Sequence, residues 1–275
     1  MTMQSNTSAT SPNSTMASWP RAFDKRIDVL MYHSISDEPG PTSIPPDVFR
    51  GQMTALRDCG YNAVSVSDLA SWHSGQKELS PRSFVITFDD GFADFADHAF
   101  SDLQTNNWSA TIFIPVAHMG TRESWAGANT HPRQLLTWRQ AEALAKEGIE
   151  FGSHSLSHSD LTTLESAELR QELCQSRTEI EQRLQRTPTS FAPPYGRSNR
   201  SVREEISKWY GSSVGTRLQR AGRLCDLYDV PRIEMHYFRN LHRWRAYLER
   251  RAETYFLSRR VLRNVKAFTK MNWVR

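Results

Sequence analysis

The sequence predicts an α/β domain built on a mainly parallel sheet, and three observations support this. Short apolar runs without polar alternation recur, as at residues 84–88 and 110–114, which is typical of strands covered on both faces. Segments with helical apolar spacing separate these runs, and this alternation indicates βα units. The 275 residues fit one domain of α/β barrel size with tails. Periodicity alone leaves a closed barrel and an open sheet as alternatives.

The elements follow in order along the chain. Residues 26–33 predict the first strand, and Pro46 begins a helix that Gly60 ends. A short strand is expected at residues 61–64, and a helical turn near Ser67. The remaining predictions are a helical stretch around residues 92–103, buried strands at 110–115 and 230–235, a helix that Thr137 caps and Gly148 ends, and an amphipathic helix at 165–186.

Composition divides the chain into three parts. Residues 1–22 are rich in Ser, Thr, Asn and Pro, and we expect a disordered polar tail. Residues 23–239 form the predicted α/β domain. Residues 240–275 hold ten Lys or Arg against two Glu, a net charge of +8, interleaved with apolar side chains. This extension predicts basic amphipathic helices that could contact an anionic membrane, and the alternative is an outer helix packed on the domain. Because no nucleic-acid fold signature accompanies it, we expect no nucleic-acid partner.

The expected location is cytoplasmic, at most peripheral to the inner membrane face. The first residues lack a basic start followed by an apolar core, so no secretory signal is expected. No run approaches eighteen apolar residues, so no spanning helix is expected. Three widely spaced cysteines, Cys59, Cys174 and Cys225, fit a reducing compartment better than a disulfide framework.

Two neighbouring carboxylates, Asp89 and Asp90, follow the buried run at residues 84–88, and Gly91 allows the backbone to turn. Ligands and catalytic groups gather at this end of a parallel strand. Adjacent acids repel unless they share a proton or a cation, so the pair indicates a metal, with a solvated turn as the alternative.

A histidine pair, His154 and His158, follows a second short apolar segment. On a helical turn this spacing would place both imidazoles on one side, within reach of one ion. One carboxylate and two imidazoles suit a divalent transition metal with open positions for water and substrate. A chance pair among nine histidines is the alternative.

Together with the loop Ala192-Pro193-Pro194-Tyr195-Gly196, these pieces resemble the polysaccharide deacetylases of carbohydrate esterase family 4. Residues 87–91 resemble that family's first motif, 154–158 its second and 192–196 its third. Residues 29–35 resemble the opening strand of its exopolysaccharide-processing branch. The resemblance spans roughly residues 27–236. It implies a distorted (β/α) barrel and metal-dependent removal of N-acetyl, or alternatively O-acetyl, groups from an oligo- or polysaccharide that contains amino sugars.

The resemblance also implies roles for individual residues. Asp90, His154 and His158 would hold the metal, with Zn²⁺ expected and Co²⁺ or Ni²⁺ as alternatives. Asp89 would be the general base. The backbone N–H of Tyr195, directed by the rigid Pro194, would stabilise the oxyanion.

Two histidines compete for the role of general acid, which must protonate the leaving amine. A late histidine does this in the family, and position therefore favours His236. His33, at the end of the first strand, is the alternative donor or a pocket residue.

One departure from the family lies at Ala192, where the third motif often carries an arginine that orients the catalytic carboxylate. Arg232, on the last predicted strand, could take that place, and we group it with Pro194 and Trp125 as candidate substrate-binding residues. Trp125 precedes the histidine motif and could stack on a sugar ring in a glycan groove.

Two other classes of protein are alternatives. A glycoside hydrolase would use two carboxylates about 5 to 9.5 Å apart across the glycosidic bond, which the adjacent Asp89 and Asp90 could not provide. A non-catalytic glycan-binding protein on the same fold would leave the acid and histidine pairs without a purpose.

Overall fold

The computed structural model describes residues 25–125, 127–128, 131–250 and 253–272, and within the last helix the side chains of residues 254–263. The tail expected at residues 1–22 lies outside the described residues. Within them there are nine strands: β1 Arg26–Tyr32, β2 Asn62–Val64, β3 Ser83–Phe88, β4 Thr111–Ile114, β5 Glu150–Ser153, β6 Ser190–Phe191, β7 Ser212–Leu218, β8 Ala221–Gly222 and β9 Val230–Glu234.

Seven of these strands close into a parallel barrel. The order around it is β3–β4–β5–β6–β7–β9–β1, and β1 pairs with β3 to complete the ring. The barrel is distorted, because β6 has only two residues and the β7–β9 register shifts between Val214 and Leu218. β2 pairs outside the ring with the first half of β3, and β8 runs antiparallel to the start of β1. The predicted barrel is confirmed.

Eight α-helices lie among the described residues: α1 Pro46–Asp58, α2 Val66–His73, α3 Phe100–Thr105, α4 Trp138–Lys146, α5 Ser166–Leu184, α6 Arg200–Ile206, α7 Leu241–Leu248 and α8 Glu253–Asn272. Thr137 and Gln140 form the predicted capping box of α4. Two details differ from the sequence prediction. α2 begins at Val66 with Ser65 as its cap, one residue before the predicted start, and the stretch before α3 begins as a π-helix at Phe95–Ala99. No helix in the described ranges is both long and apolar enough to cross a bilayer.

Alternation along the strands divides the core into two layers. Alternate residues such as Leu30, Ile86 and Ile233 face the surrounding helices. Their neighbours, including Val29 and Val85, fill the barrel interior, where Trp72 of α2 also packs. This apolar packing near the start of the strands leaves the polar interior residues at their carboxyl ends.

The C-terminal segment does not begin a separate unit at residue 240. Trp244 of α7 is fully buried, and its Nε1 donates to the Gln52 carbonyl of α1 at 3.1 Å. Tyr247 and Leu248 are buried beside it. The domain core therefore continues through α7, and the predicted boundary at residue 239 falls inside it. α8 then lies along the outside, where Tyr255 donates to the Tyr237 carbonyl at 2.9 Å.

Candidate metal centre and active site

Successive side chains of a strand point to opposite faces, which identifies the residues that point into the barrel at its carboxyl end. Met31 pairs with Thr87 of β3 and with Glu234 of β9, so these positions share the interior face. The Asp89 backbone N–H donates to the Tyr32 carbonyl at 3.0 Å and extends the β1–β3 register. The interior face consequently carries His33 after β1, Asp89 after β3, and Arg232 and Glu234 on β9.

Arg232 holds Asp89 through two parallel hydrogen bonds. Its Nη1 and Nη2 donate to Asp89 Oδ1 and Oδ2, each at 2.7 Å, while Nε donates to the Gly215 carbonyl at 2.8 Å. Burial would raise the pKa of Asp89, but the Arg232 guanidinium outweighs it, and the pKa is lowered. Asp89 is therefore ionised at neutral pH and fixed in orientation.

Arg232 therefore lies beside Asp89, where the sequence suggested that it could replace the missing family arginine. Its side chain has no solvent exposure and donates to Gly215, Thr87 and Asp89, which disfavours the suggested role in substrate binding. Arg232 instead orients the carboxylate, the task that the resemblance gives to an arginine at position 192. Ala192 has a different part, since its carbonyl accepts a hydrogen bond from His154 Nδ1 at 2.6 Å.

Asp90, His154 and His158 converge on one point. Asp90 Oδ1 lies 3.3 Å from His154 Nε2 and 3.1 Å from His158 Nε2, and the three side chains are buried. One ligand atom from each residue lies within 4.8 Å of the others, so one cation could contact all three. The bond from His154 Nδ1 to Ala192 leaves Nε2 as the ligating nitrogen. The donor set of one carboxylate and two imidazoles fits a divalent transition metal.

The charges within this cluster favour an ionised carboxylate. Burial would raise the pKa of Asp90, but hydrogen bonds from His154 and His158 bring it well below the usual range. Burial lowers the pKa of His158, and Asp90 only partly opposes this. For His154, the hydrogen bond to Asp90 and the Asp89 charge outweigh burial and raise the pKa. A cation would compete with the proton for His154.

The metal-site residues lie on loops with unusual backbone geometry. Asp90 has φ 70° and Gly91 φ 65°, and a Cβ added at Gly91 would lie 2.9 Å from Ile114 Cγ2. The sequence interpretation of a helical turn at the histidine pair is wrong. His154 and His158 lie on an irregular loop after β5, where Ser155 and His158 have φ 68° and 59°. These left-handed residues turn both imidazoles toward Asp90.

Glu172 of α5 supports that loop and was missed in the sequence. Its Oε2 accepts the backbone N–H groups of Leu156 and Ser157, both at 2.9 Å, and its Oε1 accepts the Ser157 hydroxyl at 2.5 Å. The sequence feature that could have identified Glu172 is its position next to Leu173, at the edge of the buried face of α5.

Trp125 covers one face of the metal site. Its ring stacks on His158 with centroids 4.1 Å apart and an angle of 24°, and it meets His118 edge-on at 5.4 Å. The segment that carries it is anchored by a buried ion pair, Glu123 with Arg133 at 2.7 Å. The structure therefore places Trp125 at the site, with one face against a candidate ligand.

The third motif borders the site on the other side. Tyr195 is 40% exposed, has φ 60°, and its ring lies edge-on to His158 at 4.9 Å. Pro194 is buried in the same turn, so its side chain is better placed to fix the Tyr195 backbone than to contact a substrate. A Cβ on Gly196 would overlap Thr216, which keeps this turn close against β7.

The two candidate general acids, His33 and His236, have different surroundings. His33 follows Met31 on the interior face of the barrel, and β1 pairs there with β3, which leads into Asp89 and Asp90. His236 lies beyond β9 in a 3-10 turn, where burial, then Arg239 and Arg259, lower its pKa. A histidine that is neutral at pH 7 has no proton to donate. The position of His33 on the interior face, beside the strand end that carries Asp89, favours it over His236 as the candidate acid.

Two further carboxylic side chains, those of Glu234 and Asp94, lie around His33. Burial raises the pKa of Glu234, and the charge of His33 opposes the rise. Asp94 accepts the Ser34 hydroxyl at 2.5 Å and the Ile35 backbone N–H at 3.0 Å, which fixes the chain directly after His33. Neither acid was singled out in the sequence, because each requires knowledge of which strand adjoins β1.

Comparison with known proteins assigns the family. The polysaccharide deacetylase family model matches residues 76–211. YxkH of Bacillus subtilis, named for the same family, is 26% identical over 211 residues, which cover 76% of this chain and 71% of that protein. Poly-beta-1,6-N-acetyl-D-glucosamine N-deacetylase of Escherichia coli is 29% identical over 135 residues, which cover 46% of this chain and 20% of the enzyme.

Solved structures agree with the sequence relatives. The Streptococcus pyogenes deacetylase PplD, solved in complex with acetate, has a TM-score of 0.66 and 25% identity, with coverage of 76% of this chain and 91% of that chain. A de-N-acetylase of Aggregatibacter actinomycetemcomitans shares the fold with a TM-score of 0.64 at 20% identity, over 76% and 94% of the two chains. The barrel and its site are those of a deacetylase-type hydrolase. The chain belongs to the polysaccharide deacetylase family, that is, carbohydrate esterase family 4.

Proposed function

We propose that this protein removes N-acetyl groups from amino sugars of an oligo- or polysaccharide, with a divalent metal held by Asp90, His154 and His158. The observation that carries the proposal is the division between two adjacent acids. Asp90 faces two imidazoles, whereas Arg232 clamps Asp89 in its ionised form. The relatives named above, whose names specify deacetylation of polysaccharides and N-acetylglucosamine polymers, support this substrate class.

Each residue has a task in the hydrolysis. When bound, the metal would polarise the acetyl carbonyl and lower the pKa of an adjacent water from about 15.7 toward about 7. Asp89 takes the proton from the attacking water, and the Tyr195 backbone N–H stabilises the oxyanion. His33 gives a proton to the amine as the C–N bond breaks, so the products are acetate and the free amino sugar. Zn²⁺ is the metal we propose, with Co²⁺ or Ni²⁺ as alternatives.

Acetate release from an N-acetylated oligosaccharide tests this proposal. A strong chelator should abolish the release, and Zn²⁺ or Co²⁺ should restore it. New reducing ends without acetate would indicate a glycoside hydrolase, and glycan binding without either product would indicate a binding protein. Full activity in metal-free protein would contradict the role of the metal.

We also propose that α8 contacts an anionic membrane surface. Leu257, Val261 and Leu262 of this helix are 55%, 53% and 59% exposed, whereas Arg259 and Arg263 are half-buried. The net charge of +8 over residues 240–275 favours anionic lipid and disfavours a second copy of the same helix.

Vesicle sedimentation tests the membrane contact in the full chain. We expect binding to phosphatidylglycerol vesicles at low salt and release at high salt, because screening weakens the attraction. Leu257→Ser with Leu262→Ser should reduce binding, whereas Leu224→Ser, which changes an 85% exposed leucine elsewhere, should not. Equal binding by both variants would contradict the proposal, and dimerisation lost only in the first variant would identify a second copy instead. Removal of residues 240–275 is a poor test, since it takes Trp244 from the core.

A cytoplasmic location remains our proposal. Its support is that Cys59, Cys174 and Cys225 are all free thiols. Alkylation of protein quenched directly in its native cells should modify three thiols in the cytoplasmic fraction. Recovery from an extracytoplasmic fraction would contradict it.

A further inference from the structure

A second concave site lies near the start of β1, away from the candidate metal centre. This groove has a volume of about 350 Å³ and lies between the barrel and the two C-terminal helices. Four arginines line it: Arg26 of β1, Arg220 before β8, Arg250 after α7 and Arg260 of α8. Arg26 and His33 lie at opposite ends of β1, so about 20 Å of strand separates this groove from the active-site end.

The positive charges in the groove exceed the negative ones. Among the described residues its single acidic lining residue is the buried Asp28, which accepts hydrogen bonds from Arg220 Nε at 2.7 Å, Arg220 Nη2 at 3.1 Å and the Tyr247 hydroxyl at 2.7 Å. Within the described part of the chain, Arg26, Arg250 and Arg260 form no ion pair with an acid. Three of the four guanidinium groups that line the groove are therefore not paired with a carboxylate of the described residues.

The backbone at Arg250 strengthens this observation. Its φ is 61°, in the left-handed position that follows α7 and that glycine usually occupies at helix ends. A side chain there is strained, because its Cβ lies close to the following carbonyl oxygen. The groove contains an arginine at a position where a glycine would be less strained.

The chemistry of the lining indicates the ligand. Guanidinium groups match the oxygens of phosphate with paired hydrogen bonds, and three of them balance the charge of a phosphate ester better than that of one carboxylate. Tyr61 and Tyr247 add aromatic surface at the edge of the groove, which could pack against the sugar or glycerol that carries the phosphate. We infer that this groove binds a phosphate group, presented by a soluble phosphate or by a lipid headgroup.

Titration calorimetry with inorganic phosphate, in chloride buffer on the full chain, tests the inference. We expect one phosphate per chain at this site, and Arg26→Gln with Arg260→Gln should weaken its binding by at least about tenfold, because two charged hydrogen-bond donors are lost. Arg139→Gln, at an exposed arginine on α4 outside this groove, is the control for a change in net charge. Any phosphate held by a metal at Asp90 would survive both changes.

Vesicles distinguish the two sources of phosphate. Binding to phosphatidylglycerol but not phosphatidylcholine vesicles, reduced by the Arg26 and Arg260 changes, would identify a lipid headgroup. Phosphate binding with unchanged vesicle binding would identify a soluble ligand.

The inference is overturned if wild type binds neither probe, or if the double variant binds both as tightly as Arg139→Gln. Unchanged unfolding temperature and acetate release in the double variant would show that the fold is intact. The inference does not rest on the proposed deacetylation, so either can fail alone.

Discussion

Asp89 and Asp90 are adjacent in sequence and equally buried, yet the molecule gives them different surroundings. Both oxygens of Asp89 accept from Arg232, whose charge is permanent. Asp90 Oδ1 faces the imidazoles of His154 and His158, which can release a proton. The first arrangement fixes a carboxylate in one orientation, whereas the second can exchange a proton for a cation. One acid is therefore suited to proton transfer and its neighbour to metal binding.

The site has two sides, and they differ in what holds their residues in place. The strand side, with His33, Asp89 and Arg232, is positioned by the register of three neighbouring strands. The loop side, with Asp90, His154 and His158, depends on residues with positive φ and on support from Glu172.

The largest expected effect comes from breaking the two acids separately. Asp90→Ala should lose both bound metal and acetate release. Asp89→Asn should keep the metal and lose activity by about 10²- to 10⁴-fold, because it removes only the base. Elemental analysis of both variants measures the difference. Equal metal content in wild type and Asp90→Ala would refute the ligand assignment.

The next effect concerns the proton donor on the strand side. His33→Ala should lower kcat by about 10²- to 10⁴-fold and remove the alkaline limb of the pH–rate profile. His236→Ala should stay within a few-fold of wild type, because burial, Arg239 and Arg259 keep the pKa of His236 low and the side chain neutral.

An activated acetate ester sharpens this test, since its leaving group needs little help from an acid. His33→Ala should hydrolyse the ester almost as fast as wild type and fail on the amide. If His236→Ala shows that pattern instead, the two roles are reversed.

The two sides of the site also differ in what the sequence could predict. Apolar runs and carboxyl-end acids were enough to place Asp89, Asp90 and the strands that carry them. The closed ring came from the family resemblance, because periodicity does not determine whether β1 pairs with β3. The short β6 and irregular β7 were missed, since neither has a long apolar run.

The errors in the predictions for single residues arose in loops and turns rather than in strands. The histidine pair was correctly grouped with Asp90, but its spacing suggested a helix because four-residue separation is typical of one. The chain instead uses left-handed residues at Ser155 and His158, which spacing does not reveal. His236 was preferred for its position in sequence, but it lies in a 3-10 turn after β9, whereas His33 follows the interior residue Met31 of β1.

Removal of Arg232 should have a smaller effect on rate and a distinct effect on pH dependence. Arg232 lowers the pKa of Asp89, so Arg232→Gln should raise it. The base is active only when deprotonated, and the acid limb of kcat/KM should therefore move to higher pH. We expect kcat to fall by about 10- to 100-fold with metal content unchanged.

Two further variants separate charge from orientation at this position. Arg232→Lys keeps a cation but loses the paired hydrogen bonds, so it should shift the acid limb less while still lowering kcat. Arg217→Gln, at an exposed arginine on β7, is the control. A fall in kcat without movement of the acid limb in Arg232→Gln would mean that Arg232 acts only on packing.

The smallest expected effect tests the loop side through Glu172. Glu172→Gln replaces a charged acceptor of two backbone N–H groups and a hydroxyl, which should lower the free energy of unfolding by about 1–3 kcal/mol. Because the loop then holds His154 and His158 less firmly, metal affinity should fall by about tenfold, measured by competition with a chelator. At saturating metal kcat should return close to wild type, since Glu172 touches no reacting group. Glu179→Gln, an exposed acid on the same helix paired with Arg183, should change neither quantity. If Glu172→Gln lowers kcat at saturating metal while affinity is unchanged, the loop positions the substrate rather than the metal ligands.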